Sequence, residues 1–192
     1  MKDPDPTLLE RCQQKDAEAF AQLVTEQQDY VYTLAKRVLR DPEDAAELTQ
    51  DVFLHVWNGL PFFRGESRFR TWLYRMVTNA CLSELRRPEH RVRVRSLDRS
   101  TQEHTDDPPP MAEPSTPSSE EAALDREAIE RLRVAVAQLP PQQRAALLLA
   151  RANGLSYEEV ALSLSCSVSA VKSLIPRATE TVREQLDEEG TA

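Results

Sequence analysis

FFRGESRFRTWLYRMVTNACLSELRR, residues 62–87, decides how the chain is read. Five rings (Phe62, Phe63, Phe69, Trp72, Tyr74) stand among six arginines (Arg64, Arg68, Arg70, Arg75, Arg86, Arg87). Leu73, Met76, Val77, Ala80 and Leu85 recur at helical spacing, so the pattern predicts a helix from about Ser67 to Arg87, stopped by Pro88. Two readings fit this stretch alone. One is an amphipathic helix with Trp and Tyr in the core and solvated arginines outside. The other is a surface for an unstacked nucleic-acid strand, cations meeting phosphates and ring faces meeting bases.

The charge distribution separates the two. The 192 residues carry a net charge of −8, which by itself disfavours a polyanion partner. The average conceals segments: residues 1–60 have net −6, residues 61–99 net +6, residues 100–125 net −7 and residues 126–192 net −1. One basic block between acidic ones is a localised footprint for nucleic acid.

Upstream, apolar residues at three- and four-residue steps predict helix over 7–38, broken near Lys15-Asp16, with Asp16 as a cap for a helix starting at Ala17. Asp41-Pro42 is the order of N-cap and first helical residue, followed by acids in the first turn. That helix, about 42–58, buries Ala45, Leu48, Val52, Phe53, Val56 and Trp57 and shows Glu43, Asp44, Glu47, Gln50, Asp51 and His55 elsewhere. Gly59-Leu60-Pro61 ends it.

Downstream, residues 88–121 read as linker. HRVRVRSLDR (90–99) alternates like a strand but has no partner strand, so an extended basic segment is expected. The Pro-, Ser- and acid-rich TQEHTDDPPPMAEPSTPSSEE that follows cannot bury enough apolar surface to offset its ordering entropy. Helical patterning resumes at Ala122, runs to about Gln138, and starts again from Pro141 to Ala152 before an Asn153-Gly154 cap. Ser156 and Glu159 form a capping box for a short helix, Ser165-Cys166-Ser167 makes a turn, and a last helix starts at Val168. A short helix, a three-residue turn and a second helix presenting Ser169, Lys172, Ser173 and Arg177 constitute a helix-turn-helix candidate. A helical hairpin in any bundle shows the same spacing.

Few glycines and abundant Leu, Ala, Glu, Arg and Gln point to an all-α fold. The polar start and the absence of long apolar runs predict a cytoplasmic chain without membrane insertion. Cys12, Cys81 and Cys166 lie too far apart for a zinc motif and are expected to be buried thiols. Three scattered histidines (His55, His90, His104), no Gly-rich phosphate loop and no nucleophile–base pair argue against an enzyme, and nothing requires a metal or cofactor.

The order of these parts resembles the extracytoplasmic-function (ECF) sigma factors of bacterial RNA polymerase, sigma-70 relatives that keep only regions 2 and 4. DPEDAAELTQDVFLHVW (41–57), FRGESRFRTWLYRMVTNACLSELRR (63–87) and LPPQQRAALLLARANGLSYEEVALSLSCSVSAVKSLIPRA (139–178) carry the likeness. It implies two small helical domains, a region 2 bundle (1–88) and a region 4 helix-turn-helix (122–192), joined by a flexible linker (89–121). It places Asp44, Glu47, Leu48, Gln50, Asp51, Phe53 and Leu54 at the core RNA polymerase interface. Phe63, Arg64, Ser67, Phe69, Thr71, Trp72, Asn79, Arg86 and Arg87 would meet the melted minus-10 strand of promoter DNA, and Ser169, Lys172, Ser173 and Arg177 the minus-35 element. Such factors are commonly held by an anti-sigma protein wedged between the two domains. The recognition helix departs from the family: Leu174 and Thr179 replace usual cations, and Pro176 is expected to kink it. One alternative is a helix-turn-helix regulator working without polymerase, which leaves the acidic helix and the base-pocket stretch unexplained; another is a sigma-like interaction protein, for which the altered recognition helix leaves room.

Overall fold

The computed structural model of the chain describes residues 3–87 and 119–189, the side chains of 119–125, 188 and 189 aside. The expected linker, its basic segment and its acidic Pro-rich run lie outside these residues, except that helix begins at Ser119, three residues before the expected start. No strand occurs among the described residues.

Local capping chemistry sets the helix boundaries of the first half. Helix α1 spans Pro6–Gln13 under an Asp5 cap. Lys15 takes a left-handed backbone (φ 64°), reversing the chain, and the Asp16 carboxylate accepts from the Glu18 and Ala19 N–H groups to start α2 (Ala17–Leu39). Arg40 closes α2 in the left-handed region (φ 69°), and Asp41 caps α3 (Pro42–Gly59) by accepting from Glu43 and Asp44. A 3-10 turn (Leu60–Phe62) and a loop lead into α4 (Phe69–Glu84), shorter at both ends than its pattern suggested. Helices α2, α3 and α4 pack around Leu23, Val31, Leu34, Val38, Val52, Val56, Leu73 and Val77, all essentially without solvent exposure. Burying each such side chain contributes roughly 1.5–3 kcal/mol.

The second half comprises α5 (Ser119–Gln138), α6 (Pro141–Leu147), α7 (Tyr157–Ser163) and α8 (Val168–Glu189). Between α6 and α7 the chain widens into one π turn, Leu148–Ala152, where the Asn153 N–H reaches the Leu148 carbonyl. Gly154 follows at φ 64°, a conformation that costs glycine little. The capping box of α7 is complete, with both the Ser156 and Glu159 side chains bonded to each other's backbone N–H. Helix α8 runs as one element through Pro176. All three cysteines are free thiols; Cys12 and Cys81 are buried, Cys166 is half-buried, and burial pushes Cys81 up to about 12.

The two halves touch. Helix α7 packs against α4, and α6 meets both α2 and α4. The Arg144 guanidinium, almost fully buried, donates to the Val38 carbonyl of α2 (2.7 Å) and to the Leu139 carbonyl of its own half (3.0 Å). A helix C-terminus leaves carbonyls unsatisfied and carries partial negative charge, so a planar cation is a fitting partner.

A close approach sets one constraint on α3. A Cβ at Gly59 would stand 3.0 Å from Cζ2 of Trp72 and 3.1 Å from Cε of Met76. Gly59→Leu should therefore force the indole outward and destabilise the chain by about 1–3 kcal/mol, read as a lowered urea midpoint with an unchanged m-value.

Candidate nucleic-acid interface

Three rings fix the loop between α3 and α4. Phe63 meets Phe69 edge-on (centroids 6.1 Å apart, planes at 89°) and Trp72 at a tilt (5.2 Å), while Phe69 and Trp72 lie 5.8 Å apart. Such pairs add about 0.5–1.5 kcal/mol each beyond their buried area. With its ends held by rings, the loop presents Arg64, Gly65 (φ 71°), Glu66 and half-buried Ser67 outward, next to exposed Arg68. Phe62, at the tip of the 3-10 turn, is 80% exposed, which is unusual for a side chain of its size.

The N-terminal segment braces this loop from behind. The Gln13 side-chain amide donates to the Phe63 carbonyl (2.8 Å), and the Asp3 carboxylate accepts from the Arg70 N–H at the start of α4 (2.9 Å). Lys15 donates to the Trp57 carbonyl and sits 4.5 Å over the Trp57 ring. Asp3, Gln13 and Lys15 were absent from the residues expected at the site. Partners 42 to 67 positions away leave no local signal in a sequence.

The structure divides the expected minus-10 residues. Arg64, Asn79, Arg86 and Arg87 are exposed, and Phe63, Ser67 and Trp72 are half-buried. Phe69 and Thr71 are 3% and 2% exposed: Phe69 forms the floor of the ring cluster, and the Thr71 hydroxyl donates to Glu159 of α7 (3.2 Å). In this structure neither faces an open base pocket. Asn79 and Arg87 point into a groove of about 490 Å³ between α3 and α4, which Asp44, Glu47, Leu48 and Asp51 line from the other side. Arg87 pairs with Glu84 (2.8 Å), and the Arg86 guanidinium donates to the Leu82 carbonyl (3.0 Å).

Helix α3 sorts its candidates similarly. Glu47, Gln50, Asp51 and Leu54 face outward, Leu54 62% exposed, whereas Asp44, Leu48 and Phe53 are buried, Phe53 with its ring edge-on to Phe20. On α8, Ser169, Lys172, Ser173 and Arg177 share the exposed side, and Pro176 is exposed among them. Leu174, standing where a cation was expected, is half-buried against the core.

With that geometry in hand, comparison with known proteins is decisive. Residues 23–91 match the family description Sigma-70 region 2, and residues 129–181 match Sigma-70, region 4. The RNA polymerase sigma-H factor of Pseudomonas aeruginosa is 33% identical over 96% of this chain and 95% of its own. The ECF RNA polymerase sigma-E factor of Escherichia coli K12 is 33% identical over 93% of this chain and 92% of its own. The chain belongs to the ECF sigma factors of the sigma-70 family. Its fold is theirs as well: the Bartonella quintana sigma factor RpoE, solved in complex with the anti-sigma factor NepR, superposes with a TM-score of 0.61 at 22% identity, covering 89% of this chain and 98% of that one.

The electrostatics of this sigma factor concentrate where α7 meets α4. Glu159 lies 3.6 Å from Arg70, with both side chains about one-fifth exposed. Burial pulls the Glu159 carboxyl upward, but the Ser156 N–H, the Thr71 hydroxyl and the charges of Arg70 and Arg68 outweigh it, leaving it below the usual carboxylate range. A depressed folded-state value means the contact stabilises above the unfolded carboxylate range and is lost as pH falls through the folded one. In an NMR titration, Glu159 should therefore protonate at lower pH in the folded chain than in the same chain unfolded in urea. Thr71→Val combined with Arg70→Gln should narrow that gap.

Proposed function

We propose that this chain is the promoter-specificity subunit of a bacterial RNA polymerase, without catalytic activity of its own. The ring-fixed, arginine-rich loop at the start of α4 is the observation that supports the reading most directly. It is a preorganised platform: three rings already packed, cations exposed around them, and Asn79 one face away. Unstacking one or two bases costs a few kcal/mol, which stacking and hydrogen bonding on such a platform offset without ATP.

In this reading residues 1–88 bind core polymerase and open the minus-10 element, residues 122–192 read the minus-35 element, and residues 89–121 connect them. Core polymerase meets the exposed acids and Leu54 of α3, a charged helix with an apolar spot that suits a basic coiled partner. A chain acting on polymerase in this way works in the cytoplasm. Ser169, Lys172, Ser173 and Arg177 enter the major groove. The cations missing at 174 and 179 have neighbours that make up part of the loss: Arg151 and Arg183 line a cleft of about 410 Å³ with Pro176 and Thr179. An anti-sigma protein is the expected inhibitor; the Bartonella sigma factor of the same fold was solved in complex with an anti-sigma factor. Because α7 lies directly on α4 here, an inhibitor wedged between the halves has to displace those contacts, whereas one gripping from outside retains them.

Run-off transcription with purified core polymerase tests the reading, and failure to open any promoter in the presence of core refutes it. A duplex shift of equal strength without core would favour a plain helix-turn-helix regulator. Trp72→Ala and Asn79→Ala should each impair promoter opening, read by permanganate reactivity of unpaired thymines, more than they impair duplex binding. Lys172→Ala and Arg177→Ala should each lower the salt slope of promoter binding by about 0.9 if each contacts one phosphate.

A further inference from the structure

The loop between α3 and α4 leaves three backbone groups without a local partner, and one upstream segment fills all three. The Trp57 carbonyl, in the last turn of α3, would ordinarily accept from the N–H four residues on, but that residue is Pro61, which has none. The Lys15 ammonium donates to it instead. The Phe63 carbonyl lies in the loop ahead of α4, and the Gln13 side-chain amide donates to it (2.8 Å). The Arg70 N–H belongs to the first turn of α4, where intrahelical acceptors run out. Arg68, the residue in the N-cap position, offers no side-chain bond there. The Asp3 carboxylate accepts from the Arg70 N–H (2.9 Å), a cap delivered from 67 positions away.

These bonds differ in kind from the ring cluster beneath the loop. Apolar contact is non-directional and tolerates sliding. A hydrogen bond to one carbonyl or one N–H fixes the height and tilt of the backbone that carries it. The three bonded groups bracket Arg64, Gly65, Glu66, Ser67 and Arg68, and α1 itself rests on the 3-10 turn that opens the loop. The register of the exposed residues against α4 is therefore set from residues 3–15. None of the three side chains is suited to meeting DNA directly. Asp3 is half-buried and carries the wrong charge for a phosphate, the Gln13 amide is committed to Phe63, and the Lys15 ammonium to Trp57.

We propose that Asp3, Gln13 and Lys15 are positioning residues for minus-10 reading: they touch neither base nor phosphate, and they set promoter opening and base choice by holding the α3–α4 loop at three points. The inference rests on the promoter-subunit reading above, and its own failure is separable from failure of that reading. A binding constellation has to be held within about 0.5 Å of its productive geometry by the residues behind it. Releasing any one of the three points lets the loop shift while the rings stay packed. Opening and base discrimination should then suffer together, and binding of core polymerase, which uses the outer face of α3, should not.

The experiment uses the full chain carrying Asp3→Ala, Gln13→Glu or Lys15→Met. Glutamate keeps the shape of glutamine and removes the donor; methionine keeps most of the lysine stem and removes the ammonium. Amide exchange over residues 64–70 should quicken about two- to ten-fold in each variant, the effect of one lost hydrogen bond, while the core of α2 keeps its wild-type rate. With core polymerase, the concentration for half-maximal opening should rise by a similar factor at unchanged core affinity. The ratio of opening on a promoter to opening on a copy with one minus-10 base exchanged should fall, whereas mere loss of folded chain lowers both alike and leaves that ratio fixed. Asp3→Asn should match the wild type, because asparagine caps a helix about as well as aspartate. Unchanged exchange in the loop overturns the proposal, as does an unchanged minus-10 ratio or a core affinity that falls as far as opening does. A salt slope lowered by about 0.9 in Lys15→Met would mark a direct phosphate contact and overturns it for that residue. Wild-type chain that fails run-off transcription altogether would instead refute the promoter-subunit reading, whatever the exchange rates show.

Discussion

The packing of Trp72 against Gly59 is the constraint on which the reading surface depends. The indole needs the space that a side chain at residue 59 would take, and once seated it holds Phe63 and Phe69 in a cluster. That cluster fixes the path of the chain from the end of α3 to the start of α4, and so decides where Arg64 and Arg68 stand. Gln13 and Asp3 close the same loop from the opposite side. The loop is therefore ordered by contacts at its ends while its middle remains open to solvent. A site that must admit an unstacked base needs this combination, since ordering the loop at the moment of binding would add an entropic cost.

Charge is partitioned with equal economy. Asp44, Glu47 and Asp51 of α3 line a groove whose opposite wall carries Asn79, Ser83 and Glu84 of α4 and, just past its end, Arg87, which pairs with Glu84. Asn79 is exposed in this groove, across from Asp44, Glu47 and Asp51. The net charge of −8 describes none of this, because it averages the acids of α3 with the arginines clustered over residues 64–87.

How much of this the sequence disclosed follows the range of the interactions. Asp16, Asp41 and the Ser156–Glu159 box were legible because a cap bonds within three residues of itself. The course of α8 through Pro176 was legible too, because Val171, Ile175 and Val182 carry one apolar stripe across it. In α4 the periodicity located the helix and its Leu73–Val77 stripe, with Met76, Ala80 and Leu85 packed against the core, but not the complete burial of Thr71 and Thr78 beside them. The face that carries Thr71, Tyr74 and Thr78 is covered by α7 and by Asn153 before it, whose residues lie 79 to 88 positions away. The π turn that aims Asn153 is equally silent in sequence. The contact of Thr71 with Glu159 was hidden for the same reason: its neighbour comes from the other half of the chain.

The loop's middle has a consequence for how such a protein diversifies. Arg64, Gly65, Glu66 and Arg68 are exposed and carry little of the packing, whereas the rings beneath them are fixed. Substitutions among exposed side chains usually change stability by less than about 0.5 kcal/mol. Descendants of this chain can thus exchange these solvent-facing residues while inheriting the same platform, so that whatever the loop contacts is retuned by drift and not by rebuilding the fold.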